Sequence, residues 1–310
     1  MKTTKLFLAA VLALGLAACT ENEPEITVNC CCGGSTVEAQ KLVGYFSVSK
    51  KHKVRFAPGN LQYNKGTWRF ADEQFQYMGY QNDKTDANWN IYVHDLFAFG
   101  QTGYSKSAMI NLAEIDNSYY GGYNRNTGKC DSIDGTNWDW GLYCAIENGG
   151  NQPGLWRTLS KAEWEYLLEK RNNAEKLYAP SMVAGRRGVI LLADNYKNPD
   201  GVTRPDPNKS FTEGYNVYCY EDWKKLEAGG AVFLPCGGVI RPGDSYTYYP
   251  EMSGYYWTTT NYSSTSQYAW AVQFGYEYNG TSYQSIQLVS NDPATYKYYR
   301  CSVRLVQEYK

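Results

Sequence analysis

Between Gly254 and Val306 the apolar positions fall two apart. Trp270, Val272 and Phe274 sit at i, i+2 and i+4 of the stretch Tyr268–Phe274, the period of one face of a strand. Ile286 and Leu288 share a face in Ser285–Val289, and Cys301, Val303 and Leu305 do so in Cys301–Val306. Gly254–Thr260 is aromatic and β-branched, which suits a pleated surface. The alternation predicts that Trp257, Trp270, Val272, Phe274, Val303 and Leu305 point inward. Tyr276, Tyr278, Tyr283, Tyr296 and Tyr298 are then expected to cluster on an exposed face. The loops between these strands are crowded with Tyr, Ser, Thr, Asn and Gly, so a buried scaffold is expected to alternate with a wet, aromatic surface.

The rest of the chain reads as short strands with few helices. Val43–Val48 and Lys53–Phe56 predict paired strands, and Leu61–Tyr63 with Thr67–Phe70 a hairpin about Asn64-Lys-Gly66. Gln74–Gly79 reads as a short helix or an edge, and Leu96–Phe99 as a short strand. Gly100–Gly135 is long and polar, the pattern of a functional loop or an insertion. Lys161–Arg171 is the clearest helix. Ser160 caps it, Glu163 completes a capping box, and Trp164, Leu167 and Leu168 form its apolar stripe. Arg186–Leu192 reads as a buried strand. A second helix over Glu221–Ala228 stops at Gly229-Gly230, and Ala231–Leu234 is a further strand.

The N-terminus changes the setting. Lys2 and Lys5 precede an apolar run from Leu6 to Ala18, too short to span a bilayer and ending in small residues. Leu16-Ala-Ala-Cys19 resembles the bacterial lipobox, in which the cysteine becomes the acylated N-terminus. The alternative is an ordinary signal peptide with a chance cysteine. Residues 1–18 are therefore expected to be a lipoprotein signal peptide, 19–41 a flexible tether and 42–310 a single domain. That predicts lipidation of Cys19 and a place in the bacterial cell envelope, as an outer-membrane lipoprotein held by its anchor alone.

Composition then removes function classes. The chain has 310 residues, a net charge of −1 and no basic stripe, which argues against nucleic acid. With two histidines, His52 and His94, a multi-histidine metal site is excluded and a histidine-based triad is disfavoured. No metal or cofactor is expected, a structural calcium aside. Setting Cys19 aside leaves eight of the nine cysteines. The run Cys30-Cys-Cys32 reads as a spacer, in part disulfide-bonded, rather than a metal site, and pairing among Cys130, Cys144, Cys219, Cys236 and Cys301 stays open.

Several segments, in this order, carry a resemblance: Phe56–Tyr63, Asp139-Trp-Gly141, Gly154–Leu168, Gly230–Pro235, Tyr255–Thr260 and Ser302–Val306. Together they resemble the Bacteroidales surface lipoproteins related to the Fibrobacter succinogenes major paralogous domain. That group in turn resembles the C-type-lectin-like superfamily, which includes formylglycine-generating enzymes. The resemblance implies an α+β, C-type-lectin-like fold: two main helices on small antiparallel sheets, paired N- and C-terminal strands, and long loops on one side. It does not extend to the known sites. Formylglycine-generating enzymes use a close cysteine pair where this chain has Cys301 alone. Calcium-dependent lectins carry Glu-Pro-Asn or Gln-Pro-Asp, and the nearest matches are Gln152-Pro-Gly154 and Asp206-Pro-Asn208.

Each candidate residue has a plainer reading beside the functional one. Trp156, Trp164 and Trp257 fit sugar platforms or core, and core is favoured. Arg157, Arg241 and Arg304 fit an anion clamp or internal pairs equally well. Asp139, Glu163 and Glu165 lack a catalytic spacing. Tyr262, Tyr268, Tyr276, Tyr278, Tyr283, Tyr296, Tyr298 and Tyr299 sit in loops or at strand ends, where recognition weighs evenly against plain solvated loops. The expectation is a non-enzymatic lipoprotein that binds a glycan or protein ligand through these tyrosines. A formylglycine-generating-type oxidase relative and an accessory component of a surface fibre are the alternatives.

Overall fold

The computed structural model describes residues 44–79, 93–104, 121–124, 129–209, 216–241, 246–264, 267–276, 283–289 and 295–310. The expected leader, Cys19, the tether and Cys30–Cys32 lie outside them. The described residues belong to one unit, Lys41–Lys310, of α+β class: small, mostly antiparallel sheets and few helices.

The first sheet joins the two ends of this unit. Strands β1 (Phe46–Ser47), β2 (Lys53–Phe56), β18 (Leu305–Glu308) and β8 (Arg157–Thr158) lie in that order. β18 runs antiparallel to β2, with Val306 opposite Phe56, and antiparallel to β8, with Val306 opposite Arg157. Side chains reinforce the closure. Arg157 donates to Glu163 from Nη2 at 2.7 Å and to Glu308 from Nη2 at 2.7 Å, so one guanidinium ties helix, β8 and β18 together.

The second sheet is built on the hairpin β9 (Tyr178–Val183) and β10 (Arg186–Leu192), flanked by β11 (Val217–Tyr218) and β12 (Ala231–Pro235). Its two-residue turn places Ala184 at φ 47° and Gly185 at φ 78°. A turn with both central residues in the left-handed region matches the strand twist, but it strains a residue that carries a Cβ.

Helix α1 is Trp140–Tyr143, α2 is Lys161–Glu165 and α3 is Tyr220–Ala228. The capping box on α2 is formed, with Ser160 Oγ accepting from Glu163 N–H and Glu163 accepting from Ser160 N–H. The expected helix over Lys161–Arg171 continues differently from the periodic prediction. Tyr166–Lys170 is a π turn, and it ends where Arg171 donates to Leu192 O at 3.0 Å and Asp194 at 2.9 Å. Gln74–Gly79 is irregular rather than helical or a strand. Leu96–Phe99 is buried but forms no named strand; it pairs through a bridge from Phe97 to Cys301 and a bond from Phe99 N–H to Lys297 O.

The third sheet, β15 (Ser253–Asn261), β16 (Ala269–Tyr276) and β17 (Tyr283–Val289), is antiparallel throughout. It lies between two cores. Tyr256, Val272, Phe274 and Ile286 join Phe46, Phe56, Trp164 and Leu167 on one side. Tyr255, Trp257, Ala269 and Ala271 join Phe97, Phe99, Trp140, Val303 and Leu305 on the other. The expected alternation of buried and wet faces is thereby corrected for β15 and β16: Tyr255, Tyr256, Thr258 and Thr259 are all buried. A sheet covered on both faces has no wet side, so period two sorts residues between two cores instead of between core and water. A second correction concerns Cys301–Val306, expected as one strand. Its backbone pairs piecemeal, Cys301 with Phe97, Ser302 with Tyr256, and Val303 O with Leu61 N–H at 2.9 Å; the strand proper begins at Leu305.

Candidate functional site: an aromatic strip at the end of the third sheet

The strip starts from backbone. Phe99 N–H donates to Lys297 O at 2.8 Å, and Lys297 N–H donates to Gln267 O at 2.8 Å. Tyr268 and Tyr296 face each other across an antiparallel bridge, and Tyr262 N–H donates to Tyr268 O at 3.1 Å. The segment before Cys301 is therefore laid directly against the entry to β16.

That register brings the tyrosines together. The Tyr268 and Tyr296 rings are 4.1 Å apart, Tyr296 and Tyr298 stack at 4.9 Å and 19°, and Tyr299 lies 5.8 Å from Tyr296. Tyr299 also packs on the second core, which anchors the cluster. Beneath it the Lys297 ammonium is buried 5.1 Å from the Phe99 ring, a cation–π contact. The hydrogen bond with Tyr296 raises the Tyr268 phenol to about 12, so it is uncharged at neutral pH. Of the eight tyrosines singled out by sequence, four thus form one cluster. Tyr262 stands beside it, 47% exposed. Tyr278 and the side chains of Tyr276 and Tyr283 lie outside the described residues.

Trp270 differs from its expected place. It is half-buried rather than core, near the start of β16 and beside Lys161, the first residue of α2. Its ring lies 6.1 Å from the Tyr262 ring and 5.0 Å from the Lys161 ammonium. Sequence reasoning placed it inward on period alone; its position before the apolar pair Val272 and Phe274 was the signal that the buried face was ending.

The four clustered tyrosines are half-buried, which corrects the exposed face expected for Tyr296 and Tyr298, because their rings cover one another. A second aromatic group, unforeseen from sequence, gathers the exposed Tyr104 and Tyr143 with the half-buried Trp138. Tyr104 meets the other two edge-to-face at 5.3 and 5.4 Å. Tyr104 and Trp138 belong to the stretch Gly100–Gly135 and its border, whose pattern is that of a functional loop or an insertion.

The other candidates have structural work. Trp156, Trp164 and Trp257 are buried. Asp139 is buried and caps α1, accepting from Gly141 N–H at 3.1 Å, Thr158 N–H at 3.1 Å and Thr158 Oγ at 2.9 Å. Burial pushes its carboxyl up to about 7 against the pull of those donors. Lys161 and Lys170 hold Glu165 down at about 2. Arg241 lies 4.1 Å over the Tyr248 ring, and the buried Arg304 donates to the carbonyls of Ala57 and Phe233. His94 is buried between the rings of Tyr63 and Phe97, with neither ring nitrogen hydrogen-bonded among the described residues. Burial, aided by the Arg300 charge, lowers it to about 3. Among the described residues no group of three or more His, Cys, Asp or Glu is placed to hold a metal ion. Cys144, Cys219 and Cys236 carry free thiols, which corrects the idea that they pair with one another. No described helix is long and apolar enough to cross a membrane.

Residues 220–306 match the model of a domain of unknown function, DUF8237. The matched range runs from α3 through the third sheet and contains the whole aromatic strip. No curated protein and no solved structure matches the chain.

Proposed function

We propose that this chain is a non-enzymatic, lipid-anchored envelope protein that binds a glycan or protein ligand through its C-terminal tyrosines, on a C-type-lectin-like scaffold. The observation that carries the reading is the cluster of Tyr268, Tyr296, Tyr298 and Tyr299, four neighbouring rings on loops braced by a sheet with a core on each face. Tyrosines offer large contact area with two side-chain torsions to freeze, and a rigid base limits the ordering cost of binding. The closure of β2 on β18 and the two capped helices support the C-type-lectin-like scaffold. Cys301 is buried in the second core, which does not favour the oxidase alternative. Lipidation of Cys19 and an outer-membrane location rest on the lipobox resemblance.

The test is a cell-surface pull-down and a glycan array with the full chain and a Tyr268→Ala/Tyr296→Ala/Tyr298→Ala variant. The variant is expected to lose its ligand while unfolding at a similar urea concentration. Equal capture by parent and variant would contradict the reading. Fractionation of cells carrying Cys19→Ala checks the anchor: the protein should leave the membrane fraction.

A further inference from the structure

We infer that Trp270 and Tyr262 extend the tyrosine cluster into a stacking platform for an uncharged glycan. This deepens the ligand-binding function proposed above and rests on it.

The sorting of tryptophans singles out the position. Trp68, Trp140, Trp156, Trp164, Trp223 and Trp257 are buried, while Trp138 and Trp270 are half-buried. Trp138 is flanked by Tyr104 in an edge-to-face contact, within a group whose rings pack on one another. Trp270 and Tyr262 are instead tilted by 52° at 6.1 Å, and they adjoin the tyrosine cluster through the Tyr262 N–H to Tyr268 O bond. The indole and the phenol rings thus form a run of aromatic surface along one strand end.

The chemistry of that run selects the ligand. A pyranose offers a face of C–H groups that packs on an aromatic ring, and a rim of hydroxyls that needs donors and acceptors. The chain neighbours are amide and hydroxyl: Thr260, Asn261 and Ser263 flank Tyr262, and Gln267 precedes Tyr268. The Asn261 side chain donates to Ser263 O at 2.6 Å, so its amide is held in place. Charge complementarity points the same way. The cation over the indole, Lys161, is engaged by Glu165 at 2.5 Å, a carboxylate it shares with Lys170. The Lys297 ammonium is buried, 5.1 Å from the Phe99 ring. A phosphate-rich or carboxylate-rich ligand would have to compete with Glu165 for Lys161, whereas a neutral polyhydroxylated one finds matching groups without breaking that pair. The platform is also preorganised: Trp270 O accepts from Thr258 Oγ at 2.8 Å, and its neighbours Ala269 and Ala271 pair with β15.

The experiment is titration calorimetry on the full chain with neutral hexasaccharides of glucose, xylose and mannose, and with oligogalacturonate as the anionic probe. Tyr262→Ala is the primary variant because its exposed ring contributes little to folding; Trp270→Ala is the second, and Tyr104→Ala the control. At least one neutral probe should bind, with affinity insensitive to added salt. Tyr262→Ala and Trp270→Ala should weaken it about tenfold or more, the scale of an aromatic hot spot, and Tyr104→Ala should leave it unchanged. Binding confined to oligogalacturonate, binding untouched by both substitutions, or no binding by any probe would overturn the inference. If no probe binds but the tyrosine-cluster variant loses a captured protein, the glycan platform falls and the ligand-binding reading stands.

Discussion

Trp257 and Trp270 stand on paired strands of one sheet and meet opposite fates. Trp257 is 1% exposed, its indole donates to Phe97 O at 2.7 Å, and Phe99 packs edge-on against it at 5.5 Å. Trp270 stands next to Ala271, the cross-strand partner of Trp257, half-buried, with a tyrosine and a lysine beside its ring. Strand period reads both as inward. What separates them is the face: Trp257 turns to the core with Phe97, Phe99 and Trp140, and Trp270 to the opposite side, shared with Val272 and Phe274. The centre of the sheet is scaffold on both faces, and its end carries the aromatic strip.

The largest effect expected from breaking this comparison is on the buried partner. Trp257→Ala should cost about 3–5 kcal/mol in urea unfolding, since it removes a packed indole and one of the two N–H donors to Phe97 O. Trp270→Ala should cost about 1 kcal/mol or less, the range of a half-exposed site. Comparable losses at the two positions would erase the distinction.

Titration probes the buried side further. His94 is held neutral in the fold, at about 3 against 6.5 when unfolded, so the unfolded chain binds the extra proton between those values. Its contribution to stability is present above pH 6.5 and lost as pH falls toward 3, at about 1.4 kcal/mol per pH unit. Asp139 acts in the opposite sense. Its folded pKa is raised from 3.8 to about 7, so its contribution is present below pH 3.8 and lost as pH rises toward 7. Because the two slopes oppose each other, variants are needed to separate them. Relative to the parent, His94→Phe should lose stability less steeply on acidification, and Asp139→Asn more steeply. Parallel pH curves for all three proteins would show that neither group titrates as its burial implies.

Smaller effects belong to local geometry away from the strip. Ser160→Ala should cost about 1 kcal/mol through the lost cap on α2, without altering ligand capture. Ala184→Gly should raise stability by a few tenths of a kcal/mol up to about 1, since it relieves a left-handed alanine in the β9–β10 turn. A destabilised Ala184→Gly variant would mean that the unfolded chain's added freedom outweighs the relief.

Local signals were legible in the sequence where their cause was local. The capping box at Ser160 and Glu163, the hairpin turn at Lys65-Gly66, the stop at Gly229-Gly230 and the strand Arg186–Leu192 are all read from neighbouring residues, and all are formed. What escaped was set by distant contacts. The burial of Tyr255 and Tyr256 depends on cores supplied by Phe97, Trp140, Phe46 and Trp164, none of them near in sequence. Trp270 is half-buried against its period for the same reason, since its ring neighbours Tyr262 and Lys161 come from outside its own strand. The piecemeal pairing of Cys301–Val306 likewise depends on Phe97, Tyr256 and Leu61. The tyrosine-rich loops could be named as a recognition surface from composition, but the register placing Tyr268 against Tyr296 could not.

The most direct measurement sets stability against binding for single alanine variants of Trp257, Phe274, Tyr262, Tyr268, Tyr296 and Tyr298. Urea unfolding gives one axis, and capture of the ligand retained by the parent gives the other. The account predicts two separate groups: Trp257 and Phe274 variants lose several kcal/mol of stability, while the tyrosine variants stay folded and lose ligand. Tyrosine variants that unfold as readily as Trp257→Ala, or that retain full binding, would contradict the claim that the strip is a recognition surface carried on a separate scaffold.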